Sequence, residues 1–70
     1  MNAMKLNQLY RIGWTGPQGE GMDTNLYNNL VSAVQVAELL QTQADDRPLR
    51  MKFHVVRQTG QRKERVYECR

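Results

Sequence analysis

Leu49-Arg50-Met51-Lys52-Phe53-His54-Val55-Val56 is the stretch on which the fold turns. Leu49, Met51, Phe53 and Val55 alternate with Arg50, Lys52, His54 and Val56. This period of two directs one row of a strand to a core and the other to water. Downstream, Gln58-Thr59-Gly60-Gln61 signals a turn and Glu64–Cys69 a returning strand, so the C-terminal third reads as a β-hairpin. A longer loop brings Tyr67 and Cys69 to the core face beside Phe53 and Val55, whereas a tight Thr59-Gly60 turn brings Val66 there instead. The longer loop is preferred, because Tyr67 carries more apolar surface.

Upstream lies a helix. Leu26, Leu30, Ala33, Val34, Ala37 and Leu40 fall on one stripe of a 3.6-residue repeat. Asp23, Thr24 and Asn25 all suit its N-cap, which places the start near Thr24. Pro48 disfavours helical geometry at Arg47, and Asp45-Asp46 sit badly at the negative end of the helix dipole, so the helix is expected to end near Ala44.

Before it, Tyr10, Ile12 and Trp14 alternate with Arg11 and Gly13, a further half-buried strand. Gly16-Pro17-Gln18-Gly19-Glu20-Gly21 stops that strand and reads as a connecting loop. The expected fold is α+β, a two-layer β-α-β-β sandwich with one helix packed on a three-stranded mixed sheet. The first two strands run parallel if the helix crosses over right-handedly, and the last strand can lie between them. Residues 1–70 form one domain, with residues 1–4 expected to lie outside the folded unit and Met4 an alternative start.

Seventy residues bury a thin core, which disulfides, a metal or a partner subunit usually supplement. The single cysteine, Cys69, makes no internal disulfide and fits a reducing, cytoplasmic setting. Cys69 and His54 are too few for a zinc site, and no metal or other cofactor is expected. Self-association remains as the usual compensation. No apolar run spans a bilayer, and no membrane role is expected.

The net charge of +3 is unevenly spread. Residues 1–46 hold two cations against five carboxylates, a balance of −3, and residues 47–70 hold eight against two, a balance of +6. Arg50, Lys52 and His54 line the outward side of one strand, and Arg62, Lys63 and Arg65 cluster at the hairpin, with Arg11 able to join them. Such a patch meets an acidic protein surface or phosphates, and it also protects strand edges from aggregation.

The chemistry-bearing patterns are weak. Gly16 and Gly21 match the glycines of a phosphate-binding loop, but Met22 and Asp23 stand where its lysine and hydroxyl belong. The dinucleotide glycine pattern fails as well, because Thr24 stands where its third glycine belongs. No small-molecule ligand is expected. His54, the only imidazole, is expected to meet Glu68 across the hairpin. Cys69 reads as a small apolar strand residue, and Asp45-Asp46 as a solvated helix end. Trp14, Tyr10 and Phe53 fall on the core parity, away from any base-stacking role. No catalytic residue is expected.

Tyr10–Trp14, the glycine loop and the single helix resemble those of many small bacterial and phage reading frames, a likeness of short, common patterns that implies no function. The sequence favours a non-enzymatic protein-binding regulator or inhibitor, of the kind phages and mobile elements encode, contacting its partner through Arg50, Lys52, His54, Arg62, Lys63 and Arg65. Electrostatic RNA or DNA binding through the hairpin is the alternative. A homo-oligomeric subunit is a third, with Tyr27, Val31, Val36 and Leu39 as the expected contacts.

Overall fold

The computed structural model describes residues 8–47 and 49–69, and the expectation for residues 1–4 lies outside them. In chain order the elements are β1 (Gln8–Gly16), β2 (Gly19–Met22), α1 (Leu30–Asp46), β3 (Lys52–Thr59) and β4 (Arg62–Glu68). The fold is α+β, with one helix and a four-stranded antiparallel sheet in the order β2-β1-β3-β4.

The sheet therefore has four strands, all antiparallel, where a three-stranded mixed sheet is expected. The glycine-rich segment is the reason. It forms a tight hairpin rather than a loop, with Gly16 opposite Gly19 and Gly13 opposite Met22. That reversal returns the chain along β1 before the helix begins, so β3 meets β1 antiparallel, Gln8 against Thr59 through Thr15 against Lys52. The final strand lies at the edge beside β3, not between β1 and β3.

The helix starts at Leu30, later than Thr24, because residues 23–27 are committed to the edge of β1. Asp23 N–H donates to the Ile12 carbonyl at 2.8 Å, and Tyr10 and Tyr27 exchange both backbone hydrogen bonds. The Asp23 side chain instead accepts from Thr24 N–H at 2.7 Å, a local turn. Asn29 is the N-cap, its side-chain oxygen accepting from Ser32 N–H. The last turn extends to Asp46, two residues past Ala44.

Ile12, Ala33, Ala37, Ala44, Phe53, Val55 and Cys69 form the core between α1 and one face of the sheet. The small alanines bring the helix close to β3 and β1. Leu26 and Leu30, expected in the core, are exposed: the first precedes the helix and the second opens it. Leu49, also expected inside, is exposed because β3 begins only at Lys52. Arg50 takes a left-handed φ of 56°, which breaks the alternation between Leu49 and Met51.

At the second hairpin, Thr59 faces Arg62 across a two-residue Gly60-Gln61 turn. Gly60 sits first in that turn at φ 61°, a conformation that glycine adopts without the clash of a Cβ. The turn is tight, yet Tyr67 still lies opposite Val55 and Glu68 opposite His54. A β-bulge accounts for both: Val56 faces Arg65 and Val55 faces Tyr67, leaving Val66 as the extra residue. The preferred pairing thus arises from a bulge rather than from a longer loop.

Gln41 is the buried polar residue that joins helix to sheet. Its Oε1 accepts from Phe53 N–H at 2.8 Å and its Nε2 donates to the Met51 carbonyl at 2.8 Å. Cys69 N–H donates to the Phe53 carbonyl, the last bond across that edge among the described residues, and beyond it the Gln41 carboxamide pairs with the β3 backbone.

Candidate functional site, the open face of the sheet

One face of the sheet carries α1, and among the described residues the other carries no helix. Strand alternation places Arg11, Gly13 and Thr15 of β1 on this open face, with Glu20 and Met22 of β2. Lys52, His54 and Val56 of β3 join them, as do Lys63, Arg65 and Glu68 of β4. At its centre lies a concavity of about 400 Å³, lined in part by Glu20, Met22, His54, Val56, Lys63 and Arg65. A second depression of about 340 Å³ shares His54 and Arg65 and adds Lys52 and Glu68.

His54 is on the outward side of its strand but is not an exposed member of the patch. It is only 7% exposed, its ring lying on Gly13. Val56 beside it is also buried. Burial lowers the imidazole pKa below its ordinary value of 6.5; the nearby Arg65 charge adds to this, and Glu68 and Glu20 oppose it. The buried centre of the face, Val56 and the neutral His54 ring, therefore carries no charge at neutral pH, and Lys52, Lys63 and Arg65 stand around it.

The six expected contact residues divide. Lys52, Lys63 and Arg65 reach the open face with His54 between them. Arg62 follows the opposite parity, the one shared with Arg57 and Glu64. Arg50 is exposed in the approach to β3, outside the strand. Glu68 pairs with Arg65 at 3.4 Å, and Arg57 with Glu64 at 2.7 Å, both between exposed side chains that contribute little to stability. The Arg57 partner draws the Glu64 carboxyl below its ordinary range. Arg11 Nε is buried with no hydrogen-bond partner among the described residues.

The expected oligomer contacts also separate. Tyr27 precedes α1 and packs half-buried against the core, while Val36 packs against the core from within the helix. Val31 and Leu39 are exposed at 63% and 57%. Val36 and Leu39 share one flank of the helix, and Val31 lies on the other.

Cys69 lies on the helix side of the sheet, buried near Glu38, which also accepts from the Tyr67 hydroxyl. Burial first, and the Glu38 carboxylate second, push its thiol up to about 11. It stays protonated and is a poor nucleophile at neutral pH. Among the described residues, no three His, Cys, Asp or Glu side chains gather to hold a metal. No helix among them is long and apolar enough to cross a membrane.

Sequence reasoning missed Glu20 and Met22, the wall that β2 supplies. The signal was present in Gly16-Pro17-Gln18-Gly19, a short turn flanked by Thr15 and Glu20. Comparison with protein-family models, with curated proteins and with solved structures finds no match to this chain.

Proposed function

We propose that this chain is a non-enzymatic binding protein whose open sheet face takes a protein partner presenting carboxylates. The observation that carries the reading is the composition of that face. Lys52, Lys63 and Arg65 rim a floor of His54, Val56 and Met22, with Glu20 and Glu68 set among them. An uncharged, largely desolvated centre with a mixed-charge rim resembles the anatomy of protein interfaces. Nucleic-acid platforms usually stack bases on exposed aromatic rings, and here Tyr10 and Tyr67 pack on the helix side, while Trp14 and Phe53, which border the two depressions, are packed into or against the core. That difference favours protein over RNA or DNA. The small size and single unpaired cysteine fit a regulator or inhibitor working in a reducing, cytoplasmic setting.

The test compares the wild type with a K63E/R65E double variant, each immobilised in native lysate at several salt concentrations. A protein retained by the wild type and released by the variant supports the reading. No such protein, combined with tight, steeply salt-dependent binding of a random-sequence RNA or DNA oligonucleotide, transfers the face to nucleic acid.

A further inference from the structure

A second surface lies at the far end of the helix, on the opposite side of the sheet from the open face. Leu49 stands there 47% exposed between two depressions, of about 400 Å³ and about 240 Å³. Trp14, Pro17 and Met51 line the first, and Leu40, Phe53 and Arg47 are among the residues lining the second. Leu49 is fixed in this outward position. Its N–H donates to the Ala44 carbonyl at 3.1 Å, and Arg50 behind it is held at a φ of 56°. A left-handed non-glycine residue persists only where its surroundings impose it, and such residues gather at contact sites.

A further exposed leucine stands on the neighbouring flank of α1. Gln43 lines the second depression, and Leu39, one turn before it on the same flank, is 57% exposed. At the helix end Asp46 and Arg47 are exposed side by side.

We propose that a second copy of this chain docks on this patch in a two-fold symmetric dimer. Each Leu49 enters a depression beside the Leu49 of the other copy, and each Leu39 extends the contact along the helix. Self-complementarity is what an isologous interface requires. Here a ridge is bordered by grooves, and a carboxylate is bordered by a guanidinium, so the two-fold sets each Arg47 against the Asp46 opposite. The open sheet face lacks this property, because its surplus of cations would meet a like surplus. A thin 70-residue core gives a further reason for a partner subunit. This docking leaves both open faces free, so it stands or falls separately from the binding role assigned to them.

Sedimentation velocity from about 5 µM to about 500 µM tests the proposal, and the wild type should shift from monomer to dimer across that range. Leu49→Asp and Leu39→Asp should each weaken the dimer at least ~10-fold, while Val31→Asp on the other flank should leave it intact. Circular dichroism confirms that each variant keeps its fold. Arg47→Asp should weaken association, and adding Asp46→Arg in the same chain should restore it, a readout that does not depend on the leucine variants folding. A wild type that stays monomeric throughout overturns the proposal. So does a dimer indifferent to Leu49→Asp and Leu39→Asp, which would place the contact elsewhere.

Discussion

The imidazole of His54 rests on Gly13, so closely that a Cβ added there would lie 2.4 Å from Nε2 and 2.8 Å from Cε1. Gly13 and His54 are direct cross-strand partners in β1 and β3. The missing side chain of one is the space occupied by the ring of the other. On a face without a helix, this pairing keeps a polar ring buried.

Gly13→Ala should therefore force the ring out of place and cost about 1–3 kcal/mol, the usual range for overpacking. In a His54→Ala background the same change should cost far less, because nothing fills the space. Urea unfolding of the four chains gives the coupling directly. Equal costs in both backgrounds would show that the ring does not lie over Gly13.

The same burial makes stability depend on pH. The folded pKa of His54 lies below its ordinary 6.5, so the unfolded chain binds the proton more readily. The contribution is fully present above pH 6.5 and is lost as the pH falls towards and through the lower folded value. Urea midpoints measured from about pH 7.5 down to about pH 5 should decline, and His54→Gln should flatten the decline. Glu64 titrates in a separate window: its pKa is lowered from 4.5, so any loss from it belongs to more acidic solution. A wild-type slope unchanged by His54→Gln would assign the effect to other groups.

Gln41 is 3% exposed and satisfies two backbone groups at the start of β3, the Phe53 N–H within it and the Met51 carbonyl just before it. Gln41→Leu leaves the Phe53 N–H and the Met51 carbonyl unpaired and should cost about 2–6 kcal/mol, at about 1–3 kcal/mol for each buried group. Gln41→Glu keeps an acceptor for Phe53 but faces the Met51 carbonyl with a second oxygen. That variant should regain stability on acidification, when a protonated carboxyl can again donate. Amide exchange at Phe53 should accelerate in both variants, and unchanged protection there would refute the bridging role.

Arg50 holds a left-handed backbone without a glycine, at a cost on the order of 1 kcal/mol. Arg50→Gly should relieve it and raise stability by roughly 0.5–1 kcal/mol, net of the added freedom of the unfolded chain. Thermal unfolding checks this at low concentration, where any dimer is dissociated. A variant less stable than the wild type would show that the Arg50 side chain contributes more than its backbone strain costs.

Some of this architecture was legible in the residues. Tyr10–Trp14 and Phe53–Val55 announce strands by alternation, and Ala33, Ala37 and Leu40 announce a helix, because burial on one side imposes its period on the sequence. The hairpin at Gly16–Gly19 was signalled by its turn residues but not by any strand periodicity after them. Glycine and proline lower strand propensity, and β2 exists because β1 pairs with it rather than through its own four residues. Gln41 was not singled out from the sequence, although it is a polar residue four positions after Ala37, where the stripe calls for another apolar residue.

The sequence by itself determined the middle of the helix and the strands at Tyr10–Trp14 and Phe53–Val55, with the side chains that face their interior, since those preferences act within a few residues. The tertiary structure alone decided the antiparallel order, the bulge at Val66 and the burial of His54. Each of these depends on which strand lies alongside another. That choice is made by backbone pairing and packing between residues distant in the chain, to which local periodicity is blind.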